Sequence, residues 1–178
     1  MGAGNVIPEL INGYEVYIND NRMIGVSGEV ELPNLEALTD TMEVAGVLGE
    51  ADAPATGQFA AMKIKIPFAI LHENIFEMTD TTKAVELTLR SSQQFIDQRT
   101  YDTDYSPVKI VIRGKTTTTT LGKLLKGKKG SPEVELEIYY IKIVINNSVE
   151  LELDKINYIY NLHGKDMLAK IREHLGWT

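Results

Sequence analysis

The chain contains no cysteine among its 178 residues, which removes disulfides, thiolate nucleophiles and cysteine metal sites together. Histidine is scarce: His72, His163 and His174 stand far apart, without the spacing of metal ligands, and each is expected as a surface or capping residue. Long apolar runs are missing as well, and none approaches the roughly 20 residues that a membrane helix needs. The opening Met1–Asn5 has neither the basic nor the apolar region of an export leader, so neither Sec export nor membrane insertion is expected. Gly2 invites a myristoylation reading, but Val6 stands where that motif wants Ser or Thr.

Positive charge is in short supply. Lys and Arg number 18 against 25 Asp and Glu, a net charge of −7, whereas a protein that coats nucleic acid needs a dense cationic surface to displace counterions from phosphate. An acidic surface repels DNA and would let it slide past without sticking, although on charge alone simple solubility is the plainer explanation. Hydrophobic residues at 43% and charged residues at 24% give an ordinary globular balance. The length suits one well-buried core, so a single domain over residues 1–178 is expected.

What is abundant is alternation with period two. Met62, Ile64, Ile66 and Phe68 alternate with Lys63 and Lys65; Val85, Leu87 and Leu89 with Glu86, Thr88 and Arg90; Val108, Ile110 and Ile112 with Lys109 and Arg113. Each is the pattern of a strand with one buried and one wet face. From Glu133 to Ile145 the apolar set is Val134, Leu136 and Ile138, then shifts phase after Tyr139–Tyr140 to Ile141, Ile143 and Ile145, which predicts a bulge or a strand passing between sheets. Asn146–Asn147 predicts a tight turn into Val149, Leu151 and Leu153. Helix is sparse: Met167, Leu168, Ile171 and Leu175 predict an amphipathic C-terminal helix over Gly164–Leu175, with a shorter helix near Leu71–Met78 and a helical turn after Pro33. The fold class is mainly β, an antiparallel sandwich or barrel with that helix over an open end or edge. Two stretches fit no compact sandwich, Pro33–Gln58 and the Thr116–Pro132 segment with its threonine run and its lysines, and both are expected to be long functional or mobile loops.

Motifs for chemistry fail on inspection. His72–Glu73 is followed by Phe76 where a zinc helix places its second His. Gly114–Lys115–Thr116 resembles the end of a phosphate loop, but the earlier glycine position is Lys109. Ser27 lies in Gly25–Val26–Ser27–Gly28, and Glu29 breaks the nucleophile elbow. The acids Glu29/Glu31 and Glu133/Glu135/Glu137 alternate, as solvated strand faces do. No convergent polar cluster marks an enzyme, and no cofactor or metal is implied.

A resemblance is carried by other residues. Asn12–Gly13–Tyr14, Val16–Tyr17–Ile18–Asn19, Gly25–Val26 and Val30–Glu31–Leu32–Pro33–Asn34–Leu35 follow one pattern, and Arg113–Gly114 ends a strand in another. Most specific is Leu151–Glu152–Leu153–Asp154–Lys155–Ile156–Asn157, then Gly164, Asp166, Ile171–Arg172 and Leu175–Gly176. Over nearly its whole length the chain resembles the major tail tube family of contractile-tailed phages and phage-derived bacteriocin particles. Leu162–His163–Gly164–Lys165–Asp166 replaces the family's usual Asn-Gly-Val-Asp turn, and Trp177–Thr178 extends its ending.

The resemblance implies a structural protein and not an enzyme: hexameric rings, closed by strands shared between subunits, that stack into a hollow tube for DNA passage or membrane puncture. A related secretion-system tube protein and a monomeric β-sandwich binding module are the alternatives. The implied partners are further copies, the tail sheath protein, tape measure and baseplate proteins, and DNA as transient, non-specific cargo, with no stable membrane association. The implied location is a virion or extracellular tail-like particle assembled in the bacterial host cytoplasm. Within that picture Pro33–Gln58, with Val44, Val47 and Leu48, is expected to reach an adjacent ring. Lys123, Lys126 and Lys128 and the Gly164–Leu175 helix are expected in ring or sheath contacts, and Glu29, Glu31, Asp40 and Glu43 are expected to line the channel.

Overall fold

A computed structural model describes residues 6–26, 28–46 and 48–177; the expectations for Met1–Asn5, Ser27, Val47 and Thr178 lie outside the described residues. In chain order the elements are β1 (Val6–Ile18), β2 (Asn21–Arg22), β3 (Ala37–Met42), β4 (Ala51–Phe59), β5 (Lys63–Pro67), α1 (Glu73–Met78) and β6 (Val85–Asp97). They continue with β7 (Thr103–Thr120), β8 (Glu133–Ile145), β9 (Ser148–Asp154), β10 (Ile159–Leu162), β11 (Lys165–Asp166) and α2 (Ala169–His174). Nine strands form one antiparallel sheet in the order β11-β10-β9-β8-β7-β6-β1-β2, with β5 paired to β8 off this path, while β3 and β4 make a separate two-stranded sheet. The fold is mainly β and antiparallel, as the alternation predicts. The main sheet curls around its core without closing into a barrel, and β5 meets the segment after β2 through the isolated Val26–Phe68 bridge.

The three alternating sets bury as their period demands. Met62, Ile64, Ile66 and Phe68, then Val85, Leu87 and Leu89, then Val108, Ile110 and Ile112 all belong to one buried cluster, joined by Val134, Leu136, Ile138 and Ile141 from β8. Removing each such side chain from water stabilises the fold by about 1.5–3 kcal/mol. α1 lies within the predicted Leu71–Met78 span and seals one end of the core with Ile75 and Met78. His72 begins it as a cap, its Nδ1 accepting from the Asn74 N–H at 3.3 Å.

The phase change in β8 is where the sheet turns. Arg113 pairs with Tyr140 and Gly114 with Ile138, leaving Tyr139 as the extra residue of a bulge. At the same point β8 changes its second neighbour: Lys63–Pro67 pairs with Glu133–Glu137, and Ser148–Asp154 pairs with Tyr140–Ile145. The orphaned Tyr139 carbonyl accepts from Lys155 N at 3.0 Å, and Ile138 N donates to Met62 O at 2.8 Å. The close approach requires a glycine at 114, because a Cβ there would lie 2.0 Å from the Glu137 carbonyl oxygen.

Several expectations change in the folded chain. The Asn146–Asn147 turn forms with both residues at positive φ, 49° and 63°, but a second register shift pairs Val144 with Val149 and Ile143 with Leu151. Val149 therefore joins Val144 and Lys142 on the wet face, while Leu151 and Leu153 enter the core. The threonine run is strand, since Thr118–Thr120 continue β7 against Val134–Glu135 and Glu133, β-branched residues being well suited to a pleated surface. Glu29 and Glu31 lie in residues 28–36, which carry no regular structure, so neither a strand there nor a helical turn after Pro33 is formed.

The C-terminal helix is shorter than its apolar spacing predicts. His163 and Gly164 take positive φ values of 48° and 74° and turn β10 into β11, so only Ala169–His174 remain helical. The local turn wins over the helical period because two left-handed residues satisfy a hairpin and interrupt a helix. Gly114→Ala is expected to lower stability by about 3 kcal/mol through overpacking against backbone, read as a lower urea midpoint with an unchanged slope.

Candidate assembly surface

Beyond Leu89 and Val108 the strands run on without a core. The first half of β1, the end of β6 and the start of β7 form a three-stranded extension, registered from Val6 opposite Asp97 to Ser92 opposite Pro107. β1 carries two register shifts, at Pro8/Leu10 and Ile11/Gly13, which place apolar side chains on both faces. Val6, Ile7, Leu10 and Ile11 are exposed, Ile11 by 62%. Asn12–Gly13 thus marks a bulge inside β1, and the first reversal of the chain is made instead by Asn19 and Asp20, both at positive φ.

The outer edge of this extension is open. β2 pairs only with Tyr17 and Ile18 of β1, and Met23 N reaches Val16 O at 2.8 Å. Among the described residues no strand pairs with the outer edge of β1 from Val6 to Tyr14. Unpaired N–H and C=O groups beside exposed aliphatic side chains are a template for another strand. An apolar groove follows on the inner face, lined by Ile11, Tyr14, Val30, Leu32, Leu89 and Ile110.

The Pro33–Gln58 stretch holds a projecting hairpin where a loop was expected. Its root is fixed: Phe59 and Tyr160 rings meet edge to face at 5.3 Å, Lys155 Nζ donates to Ala60 O at 2.8 Å, and Leu168 fills the space beside Gly57 so tightly that a Cβ there would come within 2.8 Å of it. Its tip is free, with Val44 exposed and Leu48 fully exposed; Val47 lies outside the described residues. Asp40 sits on β3 and Glu43 just past it, both exposed, whereas Glu29 and Glu31 are exposed on the 28–36 segment, so the four expected lining acids occupy two different elements.

The lysine segment is a loop with a fixed base. Lys123 N donates to Gly130 O at 2.7 Å and Gly130 N to Ala69 O at 2.9 Å. Lys123, Lys126 and Lys128 are exposed, together with Leu121, Leu124 and Leu125. It is separate in sequence from the β3–β4 hairpin and is rooted on different residues.

The C-terminal motif residues have local jobs. Asp154 Oδ1 accepts from Ile156 N at 3.0 Å and Asn157 N at 2.9 Å, and Asn157 Nδ2 donates to Asp154 Oδ2 at 2.6 Å. Asp166 Oδ1 accepts from Leu168 N at 3.0 Å to begin α2, and Arg172 is ion-paired to Asp166 while also donating to Tyr158 O at 3.1 Å. That clamp ties α2 to β11 and to the turn between β9 and β10. The Arg172 guanidinium beside it holds the Asp166 carboxyl below the usual carboxylate range. Among the described residues no three His, Asp or Glu side chains are grouped to hold a metal. His163 instead pairs through Nδ1 with Glu150 at 2.5 Å.

Sequence reasoning passed over the β1 edge and the β6–β7 tip, where Tyr101 and Tyr105 are exposed. A signal existed for the first: Val6–Ile7 and Leu10–Ile11 are consecutive apolar pairs that no one-sided strand can bury.

The chain is similar to known proteins in sequence and in fold. Residues 8–176 match the family described as phage tail tube protein FII. The tail tube protein of Escherichia phage P2 is 22% identical over 171 residues, spanning 96% of this chain and 98% of its own. Among solved structures, the PVC sheath/tube terminator of an extracellular contractile injection system, in its extended state, aligns with a TM-score of 0.55 at 12% identity, over 77% of this chain and 96% of that one. At that identity the likeness is one of fold.

Because the folded state lowers the Asp166 carboxyl pKa, folding releases protons there, and the resulting stability is present above about pH 4 and lost as pH falls below it towards the folded value. Asp166→Asn is expected to cost about 1 kcal/mol at pH 7, a figure discounted for solvent screening. The difference from wild type should shrink as pH falls below about 4 in urea melts recorded across the range.

Proposed function

The chain belongs to the phage tail tube protein FII family, and from its role as a structural subunit of a tail tube we propose how copies assemble. Copies form hexameric rings in which a strand of one subunit completes the sheet of the next, and rings stack into a hollow tube. The observation that carries this reading is the open β1 edge from Val6 to Tyr14, flanked by exposed Ile7, Leu10 and Ile11. Joining edge to edge satisfies backbone groups that a lone copy leaves to water and covers those apolar side chains.

In the stack, the β3–β4 hairpin reaches the adjacent ring through Val44, Val47 and Leu48. The loop bearing Lys123, Lys126 and Lys128, and separately α2, meet a neighbouring ring or the surrounding sheath. Glu29, Glu31, Asp40 and Glu43 face the channel, where an acidic lining lets DNA pass without adhering. Tape measure and baseplate proteins meet the tube inside and at its end, assembly takes place in the bacterial host cytoplasm, and the finished tube belongs to a virion or an extracellular tail-like particle. Ladders of backbone bonds suit a tube that stays rigid while a sheath contracts around it, since separating subunits breaks many bonds together.

Three experiments test this. Negative-stain images of concentrated protein should show annular particles or tubes, and amide exchange at residues 6–14 should slow markedly on assembly. A protein that stays monomeric over a wide concentration range, or a polymer whose β1 amides exchange freely, would overturn the strand-sharing scheme. Leu48→Asp should leave rings intact and shorten tubes, counted as mean length by electron microscopy; unchanged length removes the hairpin tip from ring stacking.

A further inference from the structure

The wet face of the main sheet carries an electrostatic imbalance that the fold itself does not resolve. Four cations lie across it: Arg90 on β6, Lys109 and Arg113 on β7, and Lys142 on β8. Two have partners. Arg113 pairs with Glu86 at 2.6 Å, and Lys142 lies 3.8 Å from Glu152, whose carboxylate also accepts from the Tyr140 hydroxyl at 2.8 Å. Glu15, which stands beside Arg90 in register, is engaged by Arg22. Asp20 stands at the margin of the groove.

Arg90 and Lys109 are left over. They face each other directly in the β6–β7 register, a like-charge cross-strand pair that destabilises a sheet. Among the described residues neither forms an ion pair; Arg90 only lies 5.5 Å over the Tyr17 ring. Beside them the face is aliphatic, with Val111, Val144 and Val149 lining the same groove.

The complementary chemistry sits at the far end of the same two strands. The β6–β7 tip, residues 97–105, carries Asp97, Asp102 and Asp104 against Arg99 alone. Asp97 is spent on the turn, accepting from Arg99 N at 2.7 Å and Thr100 N at 3.2 Å. Asp102 and Asp104 have no ion-pair partner among the described residues, and Tyr101 and Tyr105 are exposed by 77% and 59%. The tip stands about 20 Å beyond the last buried rung, at roughly 3.3 Å per residue. It cannot fold back onto Arg90 and Lys109 of its own chain, because all lie along the same paired strands.

We infer that the β6–β7 tip of one copy docks on the Arg90–Lys109 face of the next, with Asp102 and Asp104 answering the two cations and Tyr101, at the turn, covering the valines. The contact joins two different surfaces, so it is head-to-tail and propagates into closed rings or continuous stacks. Carboxylates against a cationic pair and a phenol ring beside guanidinium and ammonium groups are complementary in charge. The inference rests on the tube reading and names one of its subunit contacts.

Charge reversal tests it. Arg90→Glu/Lys109→Glu and, separately, Asp102→Lys/Asp104→Lys should each raise the concentration for half-assembly by roughly tenfold or more. The fourfold variant, and an equimolar mixture of the two double variants, should assemble near the wild-type concentration, because opposite charges meet again in both. Arg90→Gln/Lys109→Gln, which relieves the like-charge pair, should melt no lower than wild type yet assemble less well, which separates docking from folding. Double variants that assemble like wild type, or a folded fourfold variant and mixture that fail to recover, would refute the contact. Either result would leave tube formation by the wild-type protein untouched, whereas wild-type protein that forms no rings would remove the tube reading itself.

Discussion

Three pairings of the main sheet meet on β8, whose two halves use one edge for two different partners. The first half takes β5, the second takes β9, and β7 follows the whole strand on the other side. Such a change of neighbour requires a local break in the ladder, and the break is the Tyr139 bulge opposite Gly114. Without it the chain would have two separate pairings and two half-cores. With it, β5 folds over the buried faces of β6 to β8, and one apolar cluster forms. Tyr140, immediately after the bulge, shows how settled the region is: burial and its bond to Glu152 push its phenol up to about 12.

A second constraint accompanies the first. β5 and β9 are both committed to β8, and among the described residues no strand pairs with the outer edge of β1 from Val6 to Tyr14, so the extension formed by β1, β6 and β7 runs on beyond the core. The exposed features lie away from the core: the β1 edge, the β3–β4 hairpin tip, the β6–β7 tip and the lysine loop. The packing of Leu168 on Gly57 and the Phe59–Tyr160 ring contact anchor the hairpin at its root, so its free end projects from a fixed base. A subunit built this way keeps a rigid body and presents its contacts at the ends of stiff strands, which suits a polymer whose geometry must repeat.

Much of the body was legible in the chain. Period-two alternation found β5, β6 and the core part of β7, and a phase change located the bulge, because side chains that must all face one core record any extra residue as a shift. Asn146–Asn147 marked its turn through the tolerance of asparagine for positive φ. The errors have separate local causes. Threonine has no hydrophobic signature, so the Thr116–Thr120 strand passed for loop. Glu150, extra in its ladder, sent Val149 to the wet face against its own alternation. At the C-terminus a helical period was real, but His163–Gly164 formed a hairpin that removed half of it.

The sequence by itself determined which residues leave water and the antiparallel, mainly β character of the fold, because burial writes a periodic record residue by residue. It also carried the turn and clamp residues Asp154, Asn157, Asp166 and Arg172 as a recognisable pattern, since each acts over a few neighbours. Only the tertiary structure decided which edges stay open, that Arg90 meets Lys109, and that four acids fall on two elements. Those depend on register between strands far apart in the chain, and register is set by the sum of all pairings, not by any segment read alone.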